Sequence, residues 1–311
     1  MADMILHHYA GSPFAEKIRA IFGYKQMSWA SVETSMIMPR PDLMPLSGGY
    51  RRVPVAQVGA DVFCDTHVVT EYIEHAHPLR ALVPEGCDWA VRALTARADT
   101  HLFQVVVALC FQPSALAALV ASMGEEMMAK FAADRAQLVE GSAGVSSLAP
   151  DVAATYFHDE MAHLEAQLTA DDWLFAGEPT LVDFAVYHGL WMLSNNAAVA
   201  PMLTPYAAVR GWMQRMAGLG HGRREEMAPE DALAIAREAS PMTLEIASGH
   251  LPEGVDVGMN VNVTPVDYGL VPVGGTLDYC TAHACGIRRE DPAVGEVRVH
   301  FPRSGFRIDC A

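Results

Sequence analysis

The spacing of apolar residues changes along this 311-residue chain, and the change restricts the folds that the chain can adopt. Short apolar runs separated by turn residues come first. From Trp89 to Met216 the spacing is helical almost throughout, whereas apolar and polar residues alternate after residue 240. A period of 3.6 residues indicates helices, and a period of two indicates half-buried strands. We therefore expect a mixed α/β domain at 1–83, an all-helical domain at 84–226 and a small all-β module at 240–311.

The first region has the element order of a small mixed sheet. At its first turn, Ser12-Pro13 places a hydroxyl at a helix N-cap and a proline at the first helical position. A Gly59-Ala60-Asp61 turn between two short apolar runs is typical of a hairpin. The predicted elements, in order, are strands at 4–10 and 27–33 with the Ser12-Pro13 helix between them, a hairpin of 53–58 and 62–64, and a helix from Thr66 to His75.

An uncharged stretch from Leu102 to Gly124 has the length of a transmembrane helix. Gln112 and Pro113 interrupt it, however, and its apolar residues are largely alanine and valine. We therefore predict a buried helix that is broken near Gln112-Pro113, and no membrane span. Further breaks are expected at Gly141–Pro150 and Gly177–Pro179, and a linker is expected at Gly218–Glu226.

Strict alternation marks the end of the chain. Apolar residues occupy every second position from Val255 to Val263, with Asp, Gly and Asn between them, and the same period recurs from Val297 to Phe301. Gly-Gly, Asp-Pro and Pro-Arg-Ser-Gly segments supply turns between such runs. About five strands in this length indicate a small barrel or a curled meander.

The charge balance limits the possible partners. With 21 basic and 37 acidic residues, the formal net charge of −16 argues against binding to nucleic acid or to an anionic membrane surface. The six cysteines have no Cys-x-x-Cys spacing, so we expect reduced thiols in a cytoplasmic protein. The 13 histidines include no HExxH pattern and no cysteine partners at ligand spacing, and we expect no bound metal.

Three segments carry a resemblance to a known family. They read LHHYAGSPFAEKIRAIFGYKQM, RRVPVAQVGADVFCDTHVVTEYIEH and FAGEPTLVDFAVYHGLWML. The first resembles the first strand, active-site turn and first helix of glutathione S-transferases, and its SPFAEKIR string is similar to the tau and omega types. The second resembles the stretch around that family's cis-proline and its glutamate-recognising Glu-Ser pair, and the third resembles the capping-box helix of its C-terminal domain.

This resemblance covers residues 4–220, and the final ninety residues lie outside the usual family pattern. It implies a thioredoxin-like N-terminal domain, an all-α C-terminal domain and glutathione as co-substrate. The 240–311 module is then expected to be separable and to make no contact with glutathione.

Ser12 is the predicted catalytic residue, because the family presents a Tyr, Ser or Cys from this turn to the sulfur of glutathione. A hydroxyl at a helix N-terminus can donate to a thiolate, and the helix dipole favours the negative charge. Ser12 also suits the simpler role of an N-cap. Tyr9 is the alternative hydroxyl, although its spacing from the helix does not match, and it is otherwise expected to line the second-substrate pocket.

The resemblance also implies a glutathione subsite. Val53 would pair through its backbone with the cysteinyl part of glutathione, next to a cis Val53-Pro54 bond. Asp65 and Thr66 stand where the family has Glu and Ser, and they are expected to bind the γ-glutamyl end. Arg52 stands where lysine is common and would meet the glycine carboxylate; a solvated surface arginine is the alternative.

The second substrate is expected to be a hydrophobic electrophile. Phe103, near the start of the uncharged stretch, is the one residue predicted to contact it, and Phe14, next to the active-site turn, is predicted as a further substrate-binding residue. Thr180 and Asp183 are expected to be structural instead, as a capping box that stabilises its helix by about 1 kcal/mol.

Two functions from different classes remain open. The first is an enzyme that activates the glutathione thiol for attack on an electrophile. The second is a non-catalytic protein of the same fold that binds partners through its C-terminal β module. A thiol transferase or reductase is less favoured, because position 12 carries a hydroxyl where that chemistry needs a sulfur. In each case the resemblance implies a homodimer.

Overall fold

The computed structural model describes residues 2–142, 148–175, 177–244 and 249–311. Residues 143–147 of the predicted break at Gly141–Pro150, and Ala176 in the third family-like segment, lie outside the described residues. The strands are β1 (Met4–His8), β2 (Ser28–Glu33), β3 (Val55–Val58), β4 (Asp61–Cys64), β5 (Arg223–Glu226), β6 (Asn260–Pro265), β7 (Val273–Cys280), β8 (Ala284–Asp291), β9 (Gly295–Pro302) and β10 (Phe306–Cys310). The helices are α1 (Pro13–Lys25), α2 (Met44–Ser47), α3 (Thr66–Ala76), α4 (Asp88–Arg97), α5 (Phe103–Cys110), α6 (Pro113–Met123), α7 (Glu125–Val139), α8 (Pro150–Ala170), α9 (Leu181–Ser194), α10 (Ala207–Gly218) and α11 (Pro229–Glu238).

The N-terminal domain is thioredoxin-like, as predicted. β1 pairs in parallel with β2, while β3 is antiparallel to both β1 and β4. Helix α1 buries Ile18, Ile21 and Phe22 on one face, with Ile21 and Phe22 one turn after Ile18. β1 and β4 run in the same direction, because each is antiparallel to β3. Helices α1 and α3, which follow these two strands, therefore begin at the same edge of the sheet.

The middle of the chain is helical from α4 to α10, which confirms the predicted helical domain. The predicted break is also present: α5 ends at Cys110, and α6 begins at Pro113. Among the described residues no single helix is long and apolar enough to cross a membrane. The bent pair Asp88–Cys110 and Pro113–Met123, which meets at 73°, passes that test by length and composition when its two parts are taken together.

Helix α9 begins with the predicted capping box. The Thr180 N–H donates to Asp183 Oδ2 over 2.9 Å. Asp183 is fully buried, and its Oδ1 also accepts from the Leu174 N–H and from the Trp212 indole N–H, each at 2.9 Å. The Thr180 hydroxyl also donates to Oδ2 over 3.1 Å. Four donors thus satisfy one buried carboxylate, which is the condition for burying it without a large penalty. The structural role expected for this residue is confirmed.

The C-terminal strands form an antiparallel sheet, but they are not the separable module that the sequence predicts. The ten strands form one sheet in the order β10-β6-β7-β8-β9-β4-β3-β1-β2-β5. β6 to β9 are a meander, and β10 returns to pair with β6. β9 then pairs in parallel with β4 of the thioredoxin-like domain. The meander is therefore open rather than a closed barrel, and it continues the N-terminal sheet.

Two further sequence expectations need correction. The segment Gly218–Glu226, predicted as a linker, contains the edge strand β5, which pairs with β2. Its four residues are all charged and exposed, so no apolar alternation marked it as a strand. The alternating run from Val255 is a strand only from Asn260, and Val257 and Met259 are exposed in the preceding turn.

A buried ionic cluster lies where β4 meets β9. Asp61 is fully buried, and its carboxylate contacts Arg298 at 3.2 Å and His300 at 2.7 Å. Tyr279 lies 2.7 Å from the other ring nitrogen of His300. Burial lowers the pKa of His300 although Asp61 acts to raise it, so the imidazole is neutral and donates to Asp61 while it accepts from Tyr279. The cluster joins the two halves of the sheet by side chains as well as by backbone pairing.

Replacing Asp61 by asparagine should remove one of the two carboxylates that neutralise the buried Arg298 guanidinium; the other, Asp278, lies 2.7 Å from its Nε. We expect Asp61→Asn to lower the free energy of unfolding by about 1.5–3 kcal/mol, as measured by chemical denaturation, because its hydrogen bonds to Arg298 and His300 lose the carboxylate charge. The control is Asp309→Asn, which removes the exposed partner of Arg307 and should cost less than about 1 kcal/mol. Equal, small losses in both variants would contradict the role given to the junction.

Candidate active site

A cavity of about 1710 Å³ lies where the thioredoxin-like and helical domains meet. The structure brings every predicted site residue to its wall, although it does not test their roles. These residues are Ser12, Phe14, Arg52, Val53, Pro54, Asp65, Thr66 and Phe103, together with the alternative hydroxyl Tyr9.

Ser12 lies at the N-cap of α1 and on the cavity wall. Its backbone is extended, and its Oγ accepts from the Ala15 N–H over 3.2 Å, so the predicted capping role is present. The Ser12 N–H donates to the Tyr9 carbonyl, which forms the turn after β1. The residue is 2% exposed. The same hydroxyl can therefore cap the helix through its lone pairs and donate its proton into the cavity.

The Val53-Pro54 bond is cis, as the resemblance implies, and it precedes β3 on the cavity wall. A second cis bond, at Met38-Pro39, is not indicated by any sequence pattern.

Asp65 caps α3: its Oδ1 accepts from the His67 N–H over 3.0 Å. Asp65 has a φ of +97°, a strained conformation for a residue with a side chain. The beginnings of α1 and α3 thus both face the cavity, as their position at one sheet edge requires.

Arg52 is not a solvated surface residue. Its side chain is 13% exposed and is hydrogen-bonded to the carboxylate of Asp267 and to the carbonyl of Tyr268. Its guanidinium also lies over the Tyr268 ring at 3.9 Å and within 3.9 Å of the Asp65 carboxylate. Asp267 and Tyr268 come from the C-terminal region and line the cavity. Sequence reasoning missed both, since nothing local to them indicates which loop they will meet.

An aromatic wall forms the other side of the cavity. The rings of Phe14 and Phe103 are 4.8 Å apart in an edge-to-face arrangement, and both contact His188. Phe111 and Phe131 stack further along at 6.1 Å. These apolar surfaces suit a hydrophobic ligand.

Lys17 and Asp99, which also line the cavity, form with His188 a charged group that the sequence did not indicate. Lys17, 2% exposed, is 2.5 Å from Asp99, and His188 is 3.0 Å from the other oxygen of that carboxylate. Burial acts to raise the pKa of Asp99, but the charge of Lys17 and the bond to His188 outweigh it and leave the pKa below its usual value. Burial also lowers the pKa of His188. Within the described residues no group of three or more His, Cys, Asp or Glu side chains is arranged to hold a metal ion.

Fold and site together define a class: a thioredoxin-like domain and a helical domain enclose a cavity, with a hydroxyl at the first helix N-terminus. Residues 6–81 match the model of the glutathione S-transferase N-terminal domain, and residues 117–215 match that of the C-terminal domain. The chain is 36% identical to a GST-like protein from Pseudomonas syringae, with a TM-score of 0.82 over 99% of this chain and 100% of the other. The chain belongs to the glutathione S-transferase superfamily.

Other solved structures match a smaller part of the chain. A glutathione S-transferase from Rhodospirillum rubrum is 16% identical, with a TM-score of 0.50 over 68% of this chain and 86% of its own. A glutathione transferase from Populus trichocarpa is 12% identical, with a TM-score of 0.51 over 69% and 93%. These likenesses concern the fold, and the Pseudomonas protein also covers the C-terminal strands. No curated protein sequence gives a significant match.

The capping role of Ser12 can be measured separately from any chemistry. Ser12→Ala should lower the free energy of unfolding by about 1 kcal/mol, whereas Ser12→Gly should lower it by only a few tenths, because glycine is also accepted at an N-cap. Chemical denaturation of the two variants and the wild type checks this difference. Indistinguishable midpoints for alanine and wild type would mean that the Ser12 cap contributes nothing to stability.

Proposed function

We propose that the protein is a glutathione S-transferase that activates the thiol of glutathione for attack on a hydrophobic electrophile. The observation that carries the proposal is the position of the Ser12 hydroxyl. It lies at the N-terminus of α1, on the wall of a cavity that has the cis Val53-Pro54 edge and the start of α3 on one side and aromatic rings on the other. In the reaction, the thiolate sulfur forms a bond to carbon. The leaving group departs with its electron pair or, in an addition, the product takes a proton from water.

Activation of the thiol requires a moderate lowering of its pKa. A cysteine-type thiol with a pKa near 8.5 is about 3% ionised at pH 7, and lowering that pKa to about 6.5 raises the thiolate fraction roughly 25-fold. The shift corresponds to about 2.7 kcal/mol. A charge-assisted hydrogen bond from Ser12 and the dipole of α1 together supply energies of this size. Ser12 and the helix N-terminus are therefore sufficient in principle.

Ionisation alone does not explain a useful rate. A thiolate of lower basicity is less nucleophilic, by about tenfold for two pKa units, which leaves a net gain of a few-fold. Holding the electrophile beside the sulfur must contribute the rest. The cavity has room for both molecules, since about 1710 Å³ exceeds the roughly 300–1,000 Å³ of a pocket for one drug-sized ligand.

Removing the Ser12 hydroxyl should raise the pKa of the bound thiol. The preferred variant is Ser12→Gly, because it preserves most of the cap, and thiolate absorbance is titrated against pH with glutathione bound. We expect the curve of the variant to move to higher pH by about one unit or more, with little loss of glutathione affinity. Superimposable curves would remove Ser12 from the mechanism and direct attention to Tyr9.

Phe103 should contribute to the binding of the electrophile and not to the binding of glutathione. Phe103→Ala removes a ring packed on Phe14, and we expect KM for an apolar electrophile to rise several-fold while the Kd of glutathione stays unchanged. Tyr156→Ala, which removes a half-exposed ring outside the cavity wall, is the control and should alter neither constant. A parallel loss of glutathione affinity in Phe103→Ala would contradict the assignment.

The second candidate function is a non-catalytic binding protein. Exposed apolar side chains in the C-terminal region, at Val257, Met259, Val266 and Val271, support an interaction surface there. A protein that binds glutathione but conjugates none of a panel of electrophiles would favour this alternative.

A cytoplasmic location and a homodimer complete the proposal. The absence of Cys-x-x-Cys spacing among the six cysteines supports the former. For the latter, β9 already pairs with β4, so a dimer would have to form through surfaces other than the β4 edge. Light scattering at high protein concentration measures the oligomeric state directly.

A further inference from the structure

Helix α1 carries two lysines with buried side chains, and their ammonium groups differ in how they are satisfied. Lys25 donates to the Glu74 carboxylate and to two backbone carbonyls, so each of its three N–H groups has an acceptor. Lys17 has a single acceptor among the described residues, the Asp99 carboxylate at 2.5 Å. Two N–H groups of the Lys17 ammonium therefore have no acceptor in that part of the chain.

Lys17 lies on the cavity wall, beside the aromatic rings. The Asp99 carboxylate, also on that wall, is bonded to Lys17 through one oxygen and to His188 through the other. The centroid of the His188 ring lies 4.6 Å from that of Phe14 and 5.4 Å from that of Phe103. The ammonium group is thus next to the place where the electrophile is expected to bind.

An uncommon helical turn positions Asp99. Residues Ala98–Leu102, between α4 and α5, form a single π-helical turn. Such turns are rare within helices and occur frequently at functional sites. Asp99 is the only acidic residue of this turn, and its side chain is 22% exposed. The turn therefore supports a functional role for the Lys17–Asp99 pair.

The Lys17–Asp99 pair is ionised but carries no net charge. Burial acts to raise the pKa of Asp99, yet the charge of Lys17 and the bond to His188 leave that pKa below its usual value, so Asp99 is a carboxylate at neutral pH. Burial lowers the pKa of His188, which is therefore neutral and adds no second cation. Because Asp99 already balances its charge, Lys17 favours a neutral ligand group that accepts hydrogen bonds over an anion.

We propose that Lys17 is a catalytic residue for the addition of glutathione to α,β-unsaturated carbonyl compounds, in which it donates hydrogen bonds to the carbonyl oxygen. The proposal rests on the function proposed above and names the class of electrophile. A carbonyl oxygen has two lone pairs, which match the two N–H groups of Lys17 that remain available. The apolar part of the electrophile packs on Phe14 and Phe103.

The reaction is an addition and has no leaving group. The thiolate sulfur forms a bond to the β-carbon, the electron pair of the carbon–carbon double bond moves towards the carbonyl carbon, and the carbonyl pair moves onto oxygen. Lys17 donates to this oxygen as it becomes an enolate. The α-carbon then takes a proton from solvent, equal to the one that the thiol released on ionisation. A fixed donor on an apolar wall stabilises such developing charge well.

The test compares two electrophiles that share a phenyl ring. Benzylideneacetone is an α,β-unsaturated ketone, whereas benzyl chloride reacts by displacement and develops no charge on oxygen. The ratio of their kcat/KM values is measured on each protein, because this ratio does not depend on the fraction of enzyme that is folded. Lys17→Met should lower kcat/KM about 100-fold for benzylideneacetone and less than about threefold for benzyl chloride, as for the loss of one oxyanion donor.

Lys25→Met is the matched control. It removes the other buried lysine from the same helix, and Lys25 lies off the cavity wall. Its ratio of kcat/KM values should equal that of wild type. A fall in the ratio as large as that of Lys17→Met would mean that the loss of any buried lysine from α1 has this effect, and the inference would fail.

A double variant keeps the test decisive if the unpaired Asp99 carboxylate prevents folding of Lys17→Met. Lys17→Met/Asp99→Asn removes both charges of the pair, so no uncompensated ion is buried. The same fall in the ratio is expected. Because the net charge beside the cavity is unchanged, titration of thiolate absorbance with glutathione bound should give the same thiol pKa as in wild type.

Three results would overturn the inference and leave the proposed function intact. The first is an equal loss of kcat/KM for both electrophiles in the Lys17 variants. The second is a rise of the thiol pKa in the double variant that accounts for its loss of activity, since Lys17 would then act on the sulfur. The third is a wild-type enzyme that conjugates benzyl chloride but not benzylideneacetone. If wild type conjugates no electrophile, the proposed function fails and this inference fails with it.

Discussion

Parallel pairing between β4 and β9 is the constraint on which the rest of the structure depends. Without it, the thioredoxin-like sheet would end at β4, and the C-terminal meander would have to bury its apolar face against another part of the protein. With it, backbone hydrogen bonds and the buried Asp61–Arg298–His300 cluster fix the meander in one register. Because a register shift of one residue would turn the apolar side chains of β9 to the opposite face, the position of every loop in the meander follows from this junction.

The meander forms a third side of the cavity, next to the sides formed by the thioredoxin-like and helical domains, through Asp267 and Tyr268. The loop of residues 266–272 reaches Arg52 and the end of α7 because the strands on either side of it are held by the common sheet. The chemistry proposed for Ser12 needs only the thioredoxin-like domain and the dipole of α1. The C-terminal strands, in contrast, contribute Asp267 and Tyr268 to the wall of the cavity. Both halves of the chain therefore line the same cavity.

Local sequence patterns predicted the structural features that depend only on neighbouring residues. The cap at Ser12, the break at Pro113 and the capping box at Asp183 each depend on residues within a few positions. The pairing of β9 with β4 was not predictable, because alternation identifies a strand but not its partner. Strand β5 was missed since its charged, exposed residues carry no periodic signal. The contact between Arg52 and Asp267 joins segments more than 200 positions apart, and no local pattern predicts it.

The central claim is that glutathione binds in the cavity with its sulfur at Ser12 and its cysteinyl backbone at Val53. A crystal structure of the complex tests it most directly, because both ends of the ligand are seen at once. The account predicts the sulfur within about 3.5 Å of Ser12 Oγ and the cysteinyl backbone paired with Val53. A sulfur placed at Tyr9, or a cysteinyl backbone that lies away from Val53, would contradict it.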